Sequence, residues 1–224
     1  MLRGKVIAVT GAFGELGRAV ADEARSQGAV CALLGRHVPP GSENAWRVDL
    51  ASLEDVKRVM DDIAARLGRI DGLVNCAGGF RWQKFADGKD LSEWQAMHEV
   101  NLVTCVNACK GALPHLSKAG AGRIVNIGAM GAVKGAKGMG AYAASKAGVM
   151  RFTEALADEV KQQGITVNAV LPGIIDTPQN RADMPQADFG RWVKAEEIAK
   201  VIAFLLSDAA SAVNGALIPV TGKT

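Results

Sequence analysis

The sequence holds 224 residues, of which 49% are hydrophobic and 22% are charged, and its formal net charge at pH 7 is +3. A chain of this length buries enough apolar surface for one sizeable core, so we expect a single domain over residues 1–224. The basic residues are scattered rather than clustered, which excludes the electrostatic footprint of a protein that binds nucleic acid or an anionic membrane surface.

The four cysteines and three histidines are dispersed along the chain. They indicate neither a metal site nor a disulfide framework, so we expect buried thiols in a reducing compartment. No apolar run reaches the length of a membrane span, and the first residues run into a strand pattern without a signal-peptide core. We therefore expect a cytoplasmic protein that acts on a small molecule and contacts neither nucleic acid nor membrane.

Short β-branched segments alternate with longer segments of helical period, which is the pattern of a parallel sheet covered by helices on both faces. The predicted strands are residues 5–10, 29–34, 45–48, 72–76, 123–127, 166–171 and 216–220. The predicted helices are residues 14–27, 52–67, 91–116, 141–163 and 195–206. Two segments, 78–90 and 176–192, fit no regular element, and long irregular segments in a compact domain are usually binding loops or lids.

The segment TGAFGELG connects the first predicted strand to the first predicted helix and places Gly11, Gly14 and Gly17 in the turn. A dinucleotide site needs a tight turn, close approach of the backbone to a pyrophosphate, and the free N–H groups of a helix N-terminus. Three glycines are weak evidence by themselves, because they occur in turns by chance. The strand–turn–helix context favours a coenzyme site over a purely structural turn.

The end of the second predicted strand bears on the choice of coenzyme. An Asp or Glu there would accept a hydrogen bond from the ribose 2′-hydroxyl of NAD, whereas Gly35 occupies this place and Arg36 follows it. A guanidinium pairs with the 2′-phosphate of NADP. NADP(H) is therefore favoured and NAD(H) is possible, since Arg36 is also compatible with an ordinary surface residue.

Tyr142 is the only tyrosine of the chain and lies four residues before Lys146, where a helix is predicted to begin. Residues at i and i+4 share one face of a helix, so the two side chains can address one ligand. At ~5 Å and an effective dielectric constant of ~20, the ammonium favours the phenolate by ~3 kcal/mol. We therefore expect the pKa of Tyr142 to fall from ~10 towards ~8, near the range of an acid/base catalyst. The alternative is a half-buried tyrosine beside a lysine that reaches solvent.

Five motifs together resemble the short-chain dehydrogenase/reductase family over nearly the whole chain: TGAFGELG, NCAG at 75–78, the Asn101 of HEVNLV, YAASK, and PGIIDT at 172–177. The resemblance implies an α/β fold with a single Rossmann-type, doubly wound parallel sheet of about seven strands and helices on both faces. It also implies a nicotinamide coenzyme, Tyr142 as proton donor, Lys146 holding the nicotinamide ribose, and Asn101 supporting a proton-relay water.

The motifs and the resemblance together define the candidate coenzyme contacts. By the resemblance Asp49 and Leu50 would lie by the adenine, and Thr177 would touch the carboxamide. The full set of candidates is Gly11, Gly14, Leu16, Gly17, Arg36, Asp49, Leu50, Asn75, Ala77, Gly78, Lys146, Pro172, Gly173 and Thr177.

Ala129 stands where the family has a serine, 13 residues before the tyrosine. Loss of a preorganised donor to a developing oxyanion typically costs ~10²–10³ in rate. Within the family, the glycine spacing, Ala129, the CAGGFRW stretch and DTPQNRADMPQADFGRW are similar to the dihydropteridine reductases. This similarity implies a quinonoid dihydropterin, an electron-poor conjugated imine that accepts hydride without a carbonyl oxyanion to be held.

Three functions stay open at this point. The first is reduction of a planar conjugated acceptor. Aromatic side chains of the two irregular segments, and one from the helix that follows segment 78–90, would stack on it: Phe80, Trp82, Phe85, Trp94, Phe189 and Trp192. The second is reduction of acyl thioesters or small ketones, with Asn126 or a water replacing the serine. The third is a coenzyme-binding sensor or scaffold that has lost catalysis.

The two longest predicted helices carry more small and apolar residues than one sheet face needs. Val103, Val106 and Ala108 lie on one of them, and Val149 and Ala155 lie on the other. Together with the family's four-helix contact between subunits, these residues predict a homodimer or homotetramer.

Overall fold

The structure, a computed structural model, describes all residues from 1 to 224. Seven strands form one parallel sheet: β1 (Val6–Thr10), β2 (Val30–Gly35), β3 (Ala45–Arg47), β4 (Gly72–Asn75), β5 (Arg123–Ile127), β6 (Thr166–Pro172) and β7 (Leu217–Val220). Their order in space is β3-β2-β1-β4-β5-β6-β7. The winding direction reverses between β1 and β4, and in open α/β sheets the crevice at such a switch point binds ligands.

The helices are α1 (Glu15–Ser26), α2 (Leu53–Leu67), α3 (Ser92–His98), α4 (Thr104–Ala119), α5 (Gly140–Val160), α6 (Pro178–Asp183) and α7 (Ala195–Leu206). Helices α1 and α7 pack on one face of the sheet, and α2, α4 and α5 pack on the other. Every residue of β1 is buried. Ile7 and Val9 lie in the core under α1 and α7, and Ala8 lies in the core under α2, α4 and α5. This is the predicted Rossmann-type, doubly wound sheet.

The helix predicted over residues 91–116 is confirmed as a continuous helical run from Ser92 to Ala119, but a π-helical stretch in its middle was not predicted. Helix α3 ends at His98, a π-helical turn covers Glu99–Val103, and α4 begins at Thr104. A π turn inserts one residue into the helical repeat and often marks a functional position. The side chain of Asn101, which lies in this turn, makes two hydrogen bonds to the backbone of Gly79. The π turn thus carries a side chain that contacts a residue 22 positions away, which helical periodicity does not reveal.

The other predicted elements are confirmed to within about three residues. The predicted helix at residues 141–163 ends as a 3₁₀ turn over Lys161–Gln163. The segment predicted as irregular at 176–192 contains α6 and a short turn at Phe189–Arg191, whereas 78–90 is irregular apart from one turn at Phe85–Asp87. The structure has no helix with the length and apolarity that a bilayer crossing requires.

Candidate active site

The predicted site residues converge on the carboxyl edge of the sheet. Gly11 follows β1, Arg36 follows β2, and Asp49 lies two residues beyond β3. Asn75 ends β4 and Pro172 ends β6, each beginning a loop that carries further predicted contacts. Because these strands are parallel, their carboxyl ends meet on either side of the switch point between β1 and β4.

The glycine turn has the shape of a phosphate cradle. Gly11 has φ of +61°, and a Cβ added at Gly17 would lie 2.2 Å from the carbonyl oxygen of Gly11, so α1 packs closer than any side chain allows. Gly14 is exposed and caps α1 without a side-chain hydrogen bond. The N–H groups of Glu15, Leu16 and Gly17, the first turn of α1, have no partner. These donors and the helix dipole fit a pyrophosphate.

The strand ends beside this cradle offer the candidate contacts for adenosine. Arg36 and Asp49 line one cavity of about 680 Å³. The backbone N–H of Asp49 donates to the carboxylate of Asp55 at 2.8 Å, and the Asp49 carboxylate accepts from the N–H of Ala51 at 3.0 Å. Leu50 is 7% exposed and belongs to the core, and its carbonyl accepts from the Asn107 amide at 3.0 Å, so only its N–H is available to a ligand.

The loops after β4 and β6 hold the remaining coenzyme candidates. Ala77 donates its N–H to the hydroxyl of Thr10 at 3.2 Å, which ties this loop to β1. The Asn75 side chain is buried and donates to Asn126 at 2.8 Å, so it does not reach the crevice. Pro172 and Gly173 stay within the β6–β7 pairing, and the Thr177 hydroxyl caps α6 by accepting the N–H of Asn180 at 3.1 Å.

Lys146 and Asn101 meet at Gly78. A Cβ added at Gly78 would lie 2.8 Å from Oδ1 of Asn101 and 3.2 Å from Nζ of Lys146. The buried Lys146 ammonium donates to the carbonyl of Ile127 at 2.8 Å. Asn101 donates to the hydroxyl of Ser145 at 3.0 Å, and Ser145 donates to the carbonyl of Tyr142 at 2.7 Å. The structure thus links Asn101 to the backbone of Tyr142 through Ser145, which the sequence reasoning missed, and Lys146 lies one turn further along the same helix.

The expected lowering of the Tyr142 pKa is wrong in this structure. Burial raises the pKa of Tyr142 to about 12, and burial lowers the pKa of Lys146 to about 8. The ring of Phe80 packs edge-on against Tyr142 with centroids 4.9 Å apart, and this contact removes water from the phenol. The attraction between the two groups favours their charged forms, whereas desolvation disfavours the charged form of both, and in this structure desolvation dominates.

Ala129 is buried among apolar side chains, including Ala132, Ala143 and Met150. The proposal that Asn126 replaces the missing serine is wrong. Asn126 has no exposed surface, its amide donates to the hydroxyl of Thr153 at 2.9 Å, and its carbonyl accepts from Asn75. Because Asn126 is fully buried in the core, its second amide N–H does not reach a substrate oxygen beside Ala129.

The candidate stacking residues divide into two groups. Phe80, Trp82 and Phe85 are each more than half exposed; Phe80 packs against Tyr142, and Phe85 packs edge-on against the partly exposed Trp94 with centroids 6.1 Å apart. The Trp82 indole donates to the carbonyl of Lys137 at 3.1 Å, which joins the loop after β4 to the loop before α5. In contrast, Trp192 is 6% exposed and packs against Phe189 with centroids 4.8 Å apart, so it anchors its own loop.

Comparison with known proteins shows that this chain is similar to a broad group of oxidoreductases. A family model described as short chain dehydrogenase matches residues 5–188. The 3-oxoacyl-[acyl-carrier-protein] reductase FabG of Pseudomonas aeruginosa is 40% identical over 244 residues, covering 99% of this chain and 97% of the relative. The meso-2,3-butanediol dehydrogenase of Serratia marcescens is 33% identical, covering 97% and 93%.

Solved structures give the same picture. The ligand-free aldohexose dehydrogenase of Thermoplasma acidophilum superimposes with a TM-score of 0.91 at 31% identity, covering 99% of this chain and 94% of that one. These three relatives are named for keto, diol and sugar substrates. The resemblance to dihydropteridine reductases therefore stays a prediction from the sequence.

Proposed function

Because this chain belongs to the short-chain dehydrogenase family, we propose that it is an NADP(H)-dependent reductase in which Tyr142 donates the proton. The observation that carries the proposal is the meeting of Lys146 and Asn101 beside Gly78, with Tyr142 one helical turn from the lysine. A binding protein without catalysis has no need for a half-buried phenol and a buried ammonium at a coenzyme crevice.

The residues of the crevice fit the coenzyme that the family implies. The unpaired N–H groups of the first turn of α1 would hold the pyrophosphate, Arg36 would face the adenosine ribose, and Lys146 would hold the nicotinamide ribose. The bound nicotinamide would supply the hydride. The chain's own task is to position the acceptor and deliver the proton.

Proton delivery follows from the surroundings of Tyr142. Its raised pKa keeps the phenol protonated at neutral pH, which suits a proton donor in the reductive direction. The ammonium of Lys146 favours the phenolate left after proton transfer. The chain of hydrogen bonds through Asn101 and Ser145 fixes the start of α5, and a water beside Asn101 would return a proton from solvent.

The acceptor is a planar, electron-poor conjugated molecule of the quinonoid dihydropterin type. The supporting observation is the apolar wall at Ala129, where Asn126 offers no donor. Hydride addition to a conjugated imine or quinone spreads the charge over several atoms, so a second fixed donor is less necessary than for an isolated ketone. The exposed rings of Phe80 and Trp82 suit a flat acceptor.

A second candidate is a ketoreductase acting on acyl thioesters or small ketones. The 40% identity to the 3-oxoacyl-[acyl-carrier-protein] reductase over 99% of the chain favours this function. An ordered water would have to donate beside Ala129, because Asn126 cannot.

The deciding experiment measures oxidation of NADPH and of NADH by purified protein with four acceptors: a quinonoid dihydropterin, a quinone, a 3-oxoacyl thioester and a small ketone. The proposal expects kcat/KM for the pterin or quinone to exceed that for the ketone and thioester by at least ~10²-fold, the usual contribution of an oxyanion donor. The reverse order favours the ketoreductase. No turnover with any acceptor, despite coenzyme binding, favours the third alternative, a sensor or scaffold.

A further inference from the structure

The ring of Phe13 fills the space beside Gly35. Phe13 lies in the glycine turn, and Gly35 ends β2. A Cβ added at residue 35 would lie 2.7 Å from Cδ2 and 3.1 Å from Cε2 of Phe13. Real Cβ atoms essentially never come within 3.0 Å of another heavy atom, so no side chain fits at residue 35 unless the ring moves.

The ring is held in this position by its surroundings. Phe13 is half-buried and packs against the core layer of α1 and α7. Its carbonyl accepts a hydrogen bond from Nε of Arg18 at 2.9 Å, one turn into α1. The turn itself is fixed by the close contact between Gly11 and Gly17. Moving the ring away from Gly35 would therefore expose apolar surface or disturb the phosphate cradle.

Two arginines without carboxylate partners lie at the same edge. Arg47 ends β3 and pairs in register with Gly35, and Arg36 follows Gly35 directly. Both are exposed, neither forms an ion pair, and both line the cavity of about 680 Å³. In contrast, Arg58 of the same cavity is paired with Asp55. The edge thus presents a glycine beside two guanidinium groups that form no ion pair, in a cavity that Asp49, Asp55 and Glu99 also line. The pKa of Asp55 is lowered by hydrogen bonds from the backbone of Asp49 and from Arg58, and to a smaller extent by the charge of Arg47.

We propose that Phe13 and Gly35 form a steric pair that excludes a carboxylate from this edge, and that Arg47 joins Arg36 in binding a phosphate on the adenosine ribose. The inference rests on the proposed nicotinamide coenzyme and deepens it. Coenzyme selection is then a property of three elements, the glycine turn, β2 and β3, and no single substitution at residue 35 reverses it.

The steric half is tested by a double-mutant cycle with Gly35→Asp, Phe13→Ala and the combined variant. Dissociation constants for NADPH and NADH are measured by fluorescence titration, and thermal unfolding is followed without ligand. Gly35→Asp alone is expected to lower the unfolding temperature and weaken both coenzymes at least ~10-fold. Adding Phe13→Ala should restore the unfolding temperature and make NADH the tighter ligand.

The same cycle with Gly35→Ala removes the carboxylate charge from the comparison. Alanine alone should also lower the unfolding temperature, and Phe13→Ala should recover it. If Gly35→Asp binds NADH well and stays stable without a change at Phe13, or if the two substitutions are additive, the steric pair is refuted.

The electrostatic half is tested with 2′,5′-ADP and 5′-AMP, which differ only in the 2′-phosphate of the ribose. Arg47→Gln should weaken 2′,5′-ADP at least ~10-fold, the worth of one charge-assisted hydrogen bond, and change 5′-AMP less than ~2-fold. Arg66→Gln is the matched control, because Arg66 is also exposed but stacks on Trp46. Equal responses of the two variants refute the role of Arg47.

The unmodified protein separates this inference from the proposed function. If it binds neither coenzyme nor either nucleotide, the proposed function fails and the inference fails with it. If it binds both coenzymes and both nucleotides with equal affinity, the inference fails, and the proposed reductase stands without its preference for NADP(H).

Discussion

At the scale of single residues, burial acts in opposite directions on the two titratable groups of the site. It raises the pKa of Tyr142 to about 12 and lowers that of Lys146 to about 8. Both changes favour the neutral forms, and at neutral pH the phenol is protonated while the lysine is still mostly charged.

Replacing Tyr142 by Phe removes the proton donor and retains the ring that packs against Phe80. We expect kcat to fall at least ~10²-fold, the scale of general acid catalysis, while the dissociation constant of the coenzyme stays within about twofold. Steady-state rates and fluorescence titration give the two numbers. Unchanged turnover would remove Tyr142 from the mechanism.

The lowered pKa of Lys146 predicts that the stability of the fold depends on pH. Its folded-state pKa of about 8 lies below the ordinary value of 10.5, so between these values the unfolded chain binds a proton that the folded chain lacks. The free energy of unfolding contributed by this group therefore rises from pH 8 to about pH 10.5 and is lost as the pH falls through 8. Lys146→Met should raise the unfolding free energy at pH 7 by about 1–2 kcal/mol, after allowance for the Ile127 carbonyl left unpaired.

Urea unfolding without ligand, at pH 7 and pH 9.5, measures this difference for the parent and for Lys146→Met. The advantage of the variant should shrink at the higher pH, since the parent no longer buries a charge there. A pH-independent advantage, or none at all, would contradict the lowered pKa.

Ala129→Ser tests the missing hydroxyl directly. If the natural acceptor needs no second donor, the variant should reduce pterins or quinones within a few-fold of the parent and should gain activity on simple ketones, where charge develops on one oxygen. The measurement is kcat/KM for each acceptor. Efficient ketone reduction by the parent, with no gain from the serine, would instead show that an ordered water already fills this role.

At the scale of elements, two glycines of the turn between β1 and α1 have different roles: Gly17 allows close packing of the turn, and Gly14 leaves room for the ligand. Gly17→Ala places a Cβ 2.2 Å from the Gly11 carbonyl and should destabilise the fold by at least ~2 kcal/mol, whereas a Cβ at Gly14 meets nothing closer than 3.5 Å. Gly14→Ala should therefore fold normally and weaken coenzyme binding through crowding of the pyrophosphate. Unfolding curves and coenzyme titration of both variants check this, and a stable Gly17→Ala would show that the turn can open.

At the scale of the whole molecule, only some of the residues predicted to contact a second subunit are accessible in the folded chain. Ala108 and Val149 are core residues, at 0% and 1% exposure, so they leave no spare apolar surface. Val103, in the π turn, and Val106, in α4, are half-buried, and Ala155 is exposed on α5. These residues remain available to a partner copy.

We predict at least a homodimer through α4 and α5. Ala155→Arg should shift the mass measured by light scattering at micromolar concentration towards the monomer, because it places a charge at the contact. Ser26→Arg on α1 is the control, since Ser26 is exposed on the opposite layer. A monomeric parent would refute the assembly, and a dimeric Ala155→Arg would place the interface elsewhere.

The order of strands and helices, and the placement of Tyr142, Lys146 and the glycine turn, were determined by the sequence itself. These features are local, because the period of apolar residues and the chemistry of a turn are set by neighbours along the chain. Parallel strands then bring their carboxyl ends together, so the predicted site residues met without knowledge of any side-chain contact.

Only the tertiary structure decided what surrounds those residues. Phe80 desolvates Tyr142, Gly79 holds Asn101 in a π turn, Thr153 and Asn75 occupy Asn126, and Phe13 fills the space at Gly35. Apart from the contact between Phe80 and Tyr142, which are further apart, these contacts join residues that lie 22 to 51 positions apart along the chain. Hydrogen-bond availability, pKa and free volume depend on neighbours in space, which a pattern read along the chain does not contain.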